Sequence, residues 1–253
     1  MNASPEIYLG IDPTAGRSPF TWAALDADCR LVMLAGGELE EVLALVGGHG
    51  SAYVAVNAPP RPNRGLVRAK LAGEQASGNL RGADMRLVEH LLRLRGISVP
   101  PTPSRPETCS SWIQMGFNLH RNLEEMGFHL FPTADATRQR METNPHAVFC
   151  ALLGQIPLPK PTLEGRLQRQ LALHGMGEDI TDPMEFFEEI TRHKILLGAL
   201  PMDFIYTPEE LDALAAAFTA WSAVNSPAEL TIVGEKDEGQ MILPIQELKE
   251  MYA

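Results

Sequence analysis

The chain has 253 residues, 45% of them hydrophobic and 21% charged, with a formal net charge of −11. That is long enough for one sizeable core. No apolar run approaches the roughly 20 residues that span a bilayer, and the acidic balance argues against a protein that coats nucleic acid nonspecifically. Cys29, Cys109 and Cys150 are too far apart for a disulfide framework or a paired-cysteine metal site. With no signal-peptide pattern at the start, a reducing cytoplasm is the expected setting. The charge is uneven. Residues 61–105 hold nine Lys or Arg against Glu74, Asp84 and Glu89, whereas residues 178–253 hold sixteen acids against four bases. This leaves open either a basic patch on an acidic body, with nucleic acid as its partner, or a solvated surface with no partner.

In chain order, Ile7, Leu9 and Ile11 alternate, which predicts a strand with Asp12 at its tip before Pro13. Residues 18–26 and 30–34 read as two more strands around an Asp26-Ala27-Asp28 turn, so the chain opens as an antiparallel meander. A short helix over residues 39–46 stops at Gly47-Gly48, and a buried strand over residues 52–56 ends at Asn57. Residues 61–82, rich in Gly, Arg and Asn, read as a loop or flap over a site. Helices are expected over residues 83–94, with Met85, Val88, Leu91 and Leu92 inside and Arg86 outside, and over residues 110–126. Residues 138–142 form a strand-like piece ending in Glu142, and Asn144-Pro145 breaks it. Ala147, Val148, Ala151 and Leu152 then have helical spacing. Ile156-Pro157-Leu158-Pro159 makes a stiff extended connector, Lys160 follows it in a rigid loop, and Thr162 caps a helix bearing Glu164, Arg166 and Arg169. A helix is expected over residues 183–197. Thr207, Pro208 and Glu210 form a capping box for a helix that carries Asp212, and residues 229–243 read as a late hairpin.

Several of these stretches carry a resemblance. The run from Glu142 through Pro145-His146-Ala147 to Leu152-Leu153-Gly154 is one, and Pro157-Leu158-Pro159 through Thr162 to Glu164-Gly165-Arg166 is another. Together with Gly10-Ile11-Asp12, Asn57-Ala58-Pro59, Arg81-Gly82-Ala83-Asp84, residues 211–217 and Glu238-Gly239, they are similar to the "domain of unknown function 429" family, whose members are predicted nucleases of the RNase H-like superfamily. The resemblance covers most of the chain. It implies a single α/β domain with an RNase H-like mixed sheet, antiparallel meander first, flanked by helices, with insertions around 61–82 and 155–182. The first elements read locally agree with that order.

The implied chemistry is metal-dependent phosphodiester hydrolysis. Asp12, Glu142 and Asp212 match the family's acidic positions and are expected to serve as catalytic residues and metal ligands, holding Mg²⁺ or Mn²⁺, hard cations that favour oxygen donors. Asn57, Arg81, Lys160, Glu164 and Arg166 are the expected substrate contacts, and Arg61, Arg64, Arg81 and Arg86 are expected to border the same cleft. His146 is a further candidate, although a histidine at a helix start is more often a polar end. Asn57 departs from the family's Asp-Ala-Pro pattern, because an amide brings no charge; Asp84 and Glu107 are candidates to compensate. Asn57 therefore also admits a catalytically degraded nucleic-acid-binding or scaffold protein. A third reading, an actin-like or sugar-kinase-type phosphotransferase, rests on residues 10–17 as a phosphate loop, but the chain shows no second glycine-rich loop.

Overall fold

The computed structural model describes residues 6–16, 18–74, 84–177, 179–190 and 196–253. Its centre is a mixed eight-stranded sheet: β1 (Ile7–Pro13), β2 (Phe20–Leu25), β3 (Leu31–Gly37), β4 (Ala52–Val56), β5 (His129–Leu130), β6 (Arg138–Glu142), β7 (Thr231–Glu235) and β8 (Gly239–Leu243). The strand order is β3-β2-β1-β4-β6-β8-β7, and β5 pairs with β6 off this path. β1, β2 and β3 form the expected antiparallel meander, and β4 and β6 follow parallel to β1.

The helices are α1 (Leu39–Gly47), α2 (Leu66–Glu74), α3 (Leu87–Leu94), α4 (Ser111–Glu125), α5 (Pro145–Leu153), α6 (Leu163–Gly175), α7 (Met184–Glu189) and α8 (Pro208–Asn225). They cover both faces of the sheet. Ile7, Leu9 and Ile11 of β1 and Val54 and Val56 of β4 pack with Val42 and Val46 of α1 and Leu119 and Leu123 of α4. On the other face, Tyr8, Ala55 and Met141 pack with α3, α5 and α8. The period of two along a strand puts Gly10 and Asp12 on this second face.

α8 governs the geometry there. Residues 211–220 are buried along their whole length, as expected for a helix that is apolar all round and lies inside the protein. Its alanines let it rest on β1 at backbone distance. A Cβ built on Gly10 would lie 2.0 Å from the Ala213 carbonyl oxygen and 2.1 Å from the Ala217 nitrogen, so only glycine fits. The predicted capping box is present: Thr207 Oγ1 accepts from the Glu210 amide at 3.2 Å and Glu210 Oε2 accepts from the Thr207 amide at 2.7 Å.

Three expectations change. The flap over residues 61–82 contains α2, because Leu66, Val67 and Leu71 pack on Met85 and Leu87. The helix expected from residue 83 begins at Leu87, after Arg86 takes a buried extended conformation as its cap. The helix expected over residues 183–197 is α7, and residues 191–195 lie outside the described part.

Candidate functional site

At the tips of β1 and β4, a cavity of about 420 Å³ is lined by Asp12, Asn57, His146, Lys160, Arg169, Glu209 and Asp212, with Trp112 and Asn144 beside them. Each side chain is there for a local reason. Asp12 follows Gly10 on the face beneath α8 and is 5% exposed. Parallel pairing sets Val56 opposite Ile11, and the Asn57 amide bonds the Ile11 carbonyl at 2.9 Å, so Asn57 stands next to Asp12. Asn57 Nδ2 donates to Asp12 Oδ1 at 2.7 Å. The close seat of α8 on Gly10 brings Asp212 to the same floor. Asn144 caps α5 by accepting from the Ala147 amide, which places His146 in the first turn at the cavity wall.

Lys160 reaches in from the proline connector and donates to Asp212 Oδ2. The connector is fastened to α6 by Thr162 Oγ1 on the Pro159 carbonyl (2.9 Å), Gln168 Oε1 on the Leu158 amide (2.7 Å) and Arg169 Nη1 on the Leu158 carbonyl (2.8 Å). A Cβ on Gly165 would meet the Pro159 oxygen at 2.0 Å, so this contact too needs glycine.

The electrostatics follow from burial. Asp12 has its pKa raised to about 7 by burial and by Asp212, against Lys160 and the Asn57 hydrogen bond. Burial also raises the Asp212 carboxyl, against Lys160. Burial opposes the charge on Lys160, but Asp212, with help from Asp12 and Glu209, outweighs it and raises the ammonium pKa. Burial and the neighbouring Arg169 and Lys160 lower the pKa of His146, keeping the ring neutral at pH 7.

The structure brings together Asp12, Asn57, Lys160 and Asp212, and adds Arg169 and His146. It does not bring Glu142. That carboxylate is 1% exposed and accepts from Arg86 Nη1 at 2.7 Å and Nη2 at 2.5 Å. Glu89 takes the Arg86 Nε at 2.8 Å and the Thr102 amide at 2.8 Å, closing a buried network behind the Asn57–Trp112 wall. Glu142 is therefore a structural partner of Arg86 in place of a ligand beside Asp12. Arg166 spends its guanidinium on the Ile205 and Tyr206 carbonyls, and Glu164 is exposed; neither lines the cavity. Arg81 lies outside the described residues.

The basic segment is also redirected. Arg61 and Arg64 bond the Asp237 carbonyl and Arg86 is buried, so these three do not border the cavity. Asp84 does not compensate for Asn57, since it accepts from Asn63 and from the Ser104 amide; Glu107 does not line the cavity either. Glu238 is structural, accepting from the amides of Arg64, Leu66 and Leu87 at the starts of α2 and α3. Arg169 was harder to single out from the sequence. It sits one turn after Arg166, and only the packing of α6 shows which of the two faces Asp212.

A family model described as "Protein of unknown function (DUF429)" matches residues 10–238. The chain belongs to the DUF429 family. No curated protein and no solved structure matches it. In this DUF429 chain the matched span begins at Gly10, under α8, and ends at Glu238, the residue that caps α2 and α3. No helix among the described residues is long and apolar enough to cross a membrane.

Among the described residues, no group of three or more His, Cys, Asp or Glu side chains is placed to hold a metal ion. A divalent cation has a more modest fit. Asp12 and Asp212 are hard oxygen donors, Asp212 already paired with Lys160, and the Asn57 carbonyl oxygen stays available because its amide group serves Asp12. Mg²⁺ is commonly held by one or two carboxylates, with water and substrate phosphate completing the shell. The floor fits one such ion.

Proposed function

We propose that this DUF429 protein is a metal-dependent phosphodiesterase of the nuclease type, built on an RNase H-like fold. The strand order supports the fold reading: an antiparallel meander, then strands parallel to the first on its far side. The observation that carries the chemistry is the meeting of Asp12 and Asp212, from β1 and α8, on the floor of a cavity that also holds Lys160 and Arg169.

Asp12 and Asp212 would hold Mg²⁺ or Mn²⁺, and Asn57 fixes the Asp12 carboxylate by its amide. The bound ion would supply an activated water and neutralise charge on a phosphoryl oxygen. Lys160 and Arg169 offer positive charge to a phosphate entering the cavity. His146, neutral and on the wall, is able to accept or return a proton there. Trp112 gives the cavity one aromatic face against which a base can stack.

A second reading, a catalytically degraded binding protein of the same fold, is favoured by the neutral Asn57 and by the capture of Glu142 by Arg86. Titration calorimetry with Mn²⁺ and cleavage of a labelled oligonucleotide separate the two. The hydrolase reading expects wild type to bind Mn²⁺ and cleave, Asp12→Ala to lose both, and Asn57→Asp to bind Mn²⁺ more tightly. An inert wild type made active by Asn57→Asp selects the degraded protein. Inert protein in all three forms removes the hydrolase altogether.

A further inference from the structure

The Lys160 ammonium occupies the place where a cation is most wanted. It is bonded to Asp212, and Asp12 and Glu209 also attract it. Its delivery is deliberate in the mechanical sense. Lys160 stands between Pro159 and Pro161, in a connector whose backbone is bonded by Thr162, Gln168 and Arg169 and seated on Gly165. A side chain on such a base loses less freedom on pairing than one on a mobile loop, since its backbone is already ordered. The charge balance agrees. Asp12, Asp212 and, at the exposed rim, Glu209 face Lys160 and Arg169, so acids outnumber bases by one. Glu142, which would otherwise add a carboxylate, is bound to Arg86. A floor with this balance suits one divalent ion and repels a second.

We propose that Lys160 is a built-in cation: by pairing with Asp212 it occupies a position that a divalent ion would otherwise take, so that the site accepts at most one such ion. The proposal rests on the hydrolase reading for its substrate, a phosphodiester. It also assigns Lys160 a role distinct from that of a surface lysine drawn to phosphate: it sets how many metal ions the site accepts.

The test is Mn²⁺ binding to the full chain, by calorimetry and by the electron paramagnetic resonance of free Mn²⁺. Wild type is compared with Lys160→Met, which keeps the length without the charge, and with Lys160→Arg; thermal melting checks that each is folded. The expected result is one Mn²⁺ per chain for wild type and for Lys160→Arg. Lys160→Met should take a second Mn²⁺, or bind the first about tenfold more tightly, because Asp212 loses its partner. Wild type binding one ion with Lys160→Met unchanged in number and affinity overturns the proposal and leaves the hydrolase reading standing. Binding by Lys160→Met but not by wild type supports the proposal in its strongest form, with the ammonium replacing metal outright, and removes the hydrolase reading. Two ions on wild type, or none on any form, overturn it.

Discussion

Glu142 shows how a residue's partner decides its meaning. A carboxylate at a strand end invites the ligand reading, yet here it satisfies two donors of a buried guanidinium. Arg86 is 0% exposed, and Glu142 and Glu89 keep it charged against burial. Breaking one half of such a pair strands the other, typically at about 3–5 kcal/mol. Glu142→Ala should therefore lower the urea midpoint by an amount of that order while folded protein keeps its Mn²⁺ affinity. A variant of normal stability that no longer binds Mn²⁺ would restore Glu142 as a ligand. Asn57 is the opposite case. Its place next to Asp12 followed from two strands ending side by side, each before a proline-containing break, and the 2.7 Å hydrogen bond is where that reading points.

Among the elements, those with a periodic signature were the most legible. The alternation in β1, the buried run of β4 and the capping box of α8 each appear where local chemistry demands. α2 escaped because its apolar residues make sense only against Met85 and Leu87 of a later segment. The carboxylates Asp12 and Asp212 were legible as types and positions, but not the reason they meet, which is the lack of a side chain at Gly10. That contact yields a prediction at the scale of the helix. Gly10→Ala forces a methyl into the α8 backbone, and overpacking of this kind costs about 1–3 kcal/mol or more. The variant should melt lower and, because α8 must lift or slide, lose Mn²⁺ affinity out of proportion to its unfolded fraction. Stability lost with Mn²⁺ affinity intact would mean that α8 does not set the position of Asp212.

For the molecule as a whole, the basic stretch over residues 61–105 shows why composition alone misleads. Of its described arginines only Arg86 is buried, on Glu142, and the exposed Arg64 and Arg93 bond the Asp237 and Val99 carbonyls of their own chain. Packing also sets the response to acid. His120 is 1% exposed, donates Nε2–H to the Ala58 carbonyl, and faces Arg140. Burial and Arg140 lower its pKa to about 3. A depressed histidine favours folding above its unfolded pKa of about 6.5 and loses that contribution as pH falls toward 3, at up to about 1.4 kcal/mol per pH unit. Between pH 7 and pH 5, wild type should lose about 2 kcal/mol more stability than His120→Gln, read as the difference in urea midpoints. Equal losses would show that His120 does not titrate in this way.

The seat of α8 on Gly10 also bears on the life of the chain before it is complete. Asp12 and Asn57 lie at the ends of strands that leave the ribosome before the rest of the site, since domains are made from their N-terminal side onward. Lys160 follows much later, and Asp212 comes later still, on the final helix of the series. A nascent chain thus holds an incomplete site until α8 has been made. The pocket is complete only when α8 closes over β1, so the order of synthesis sets when it can form.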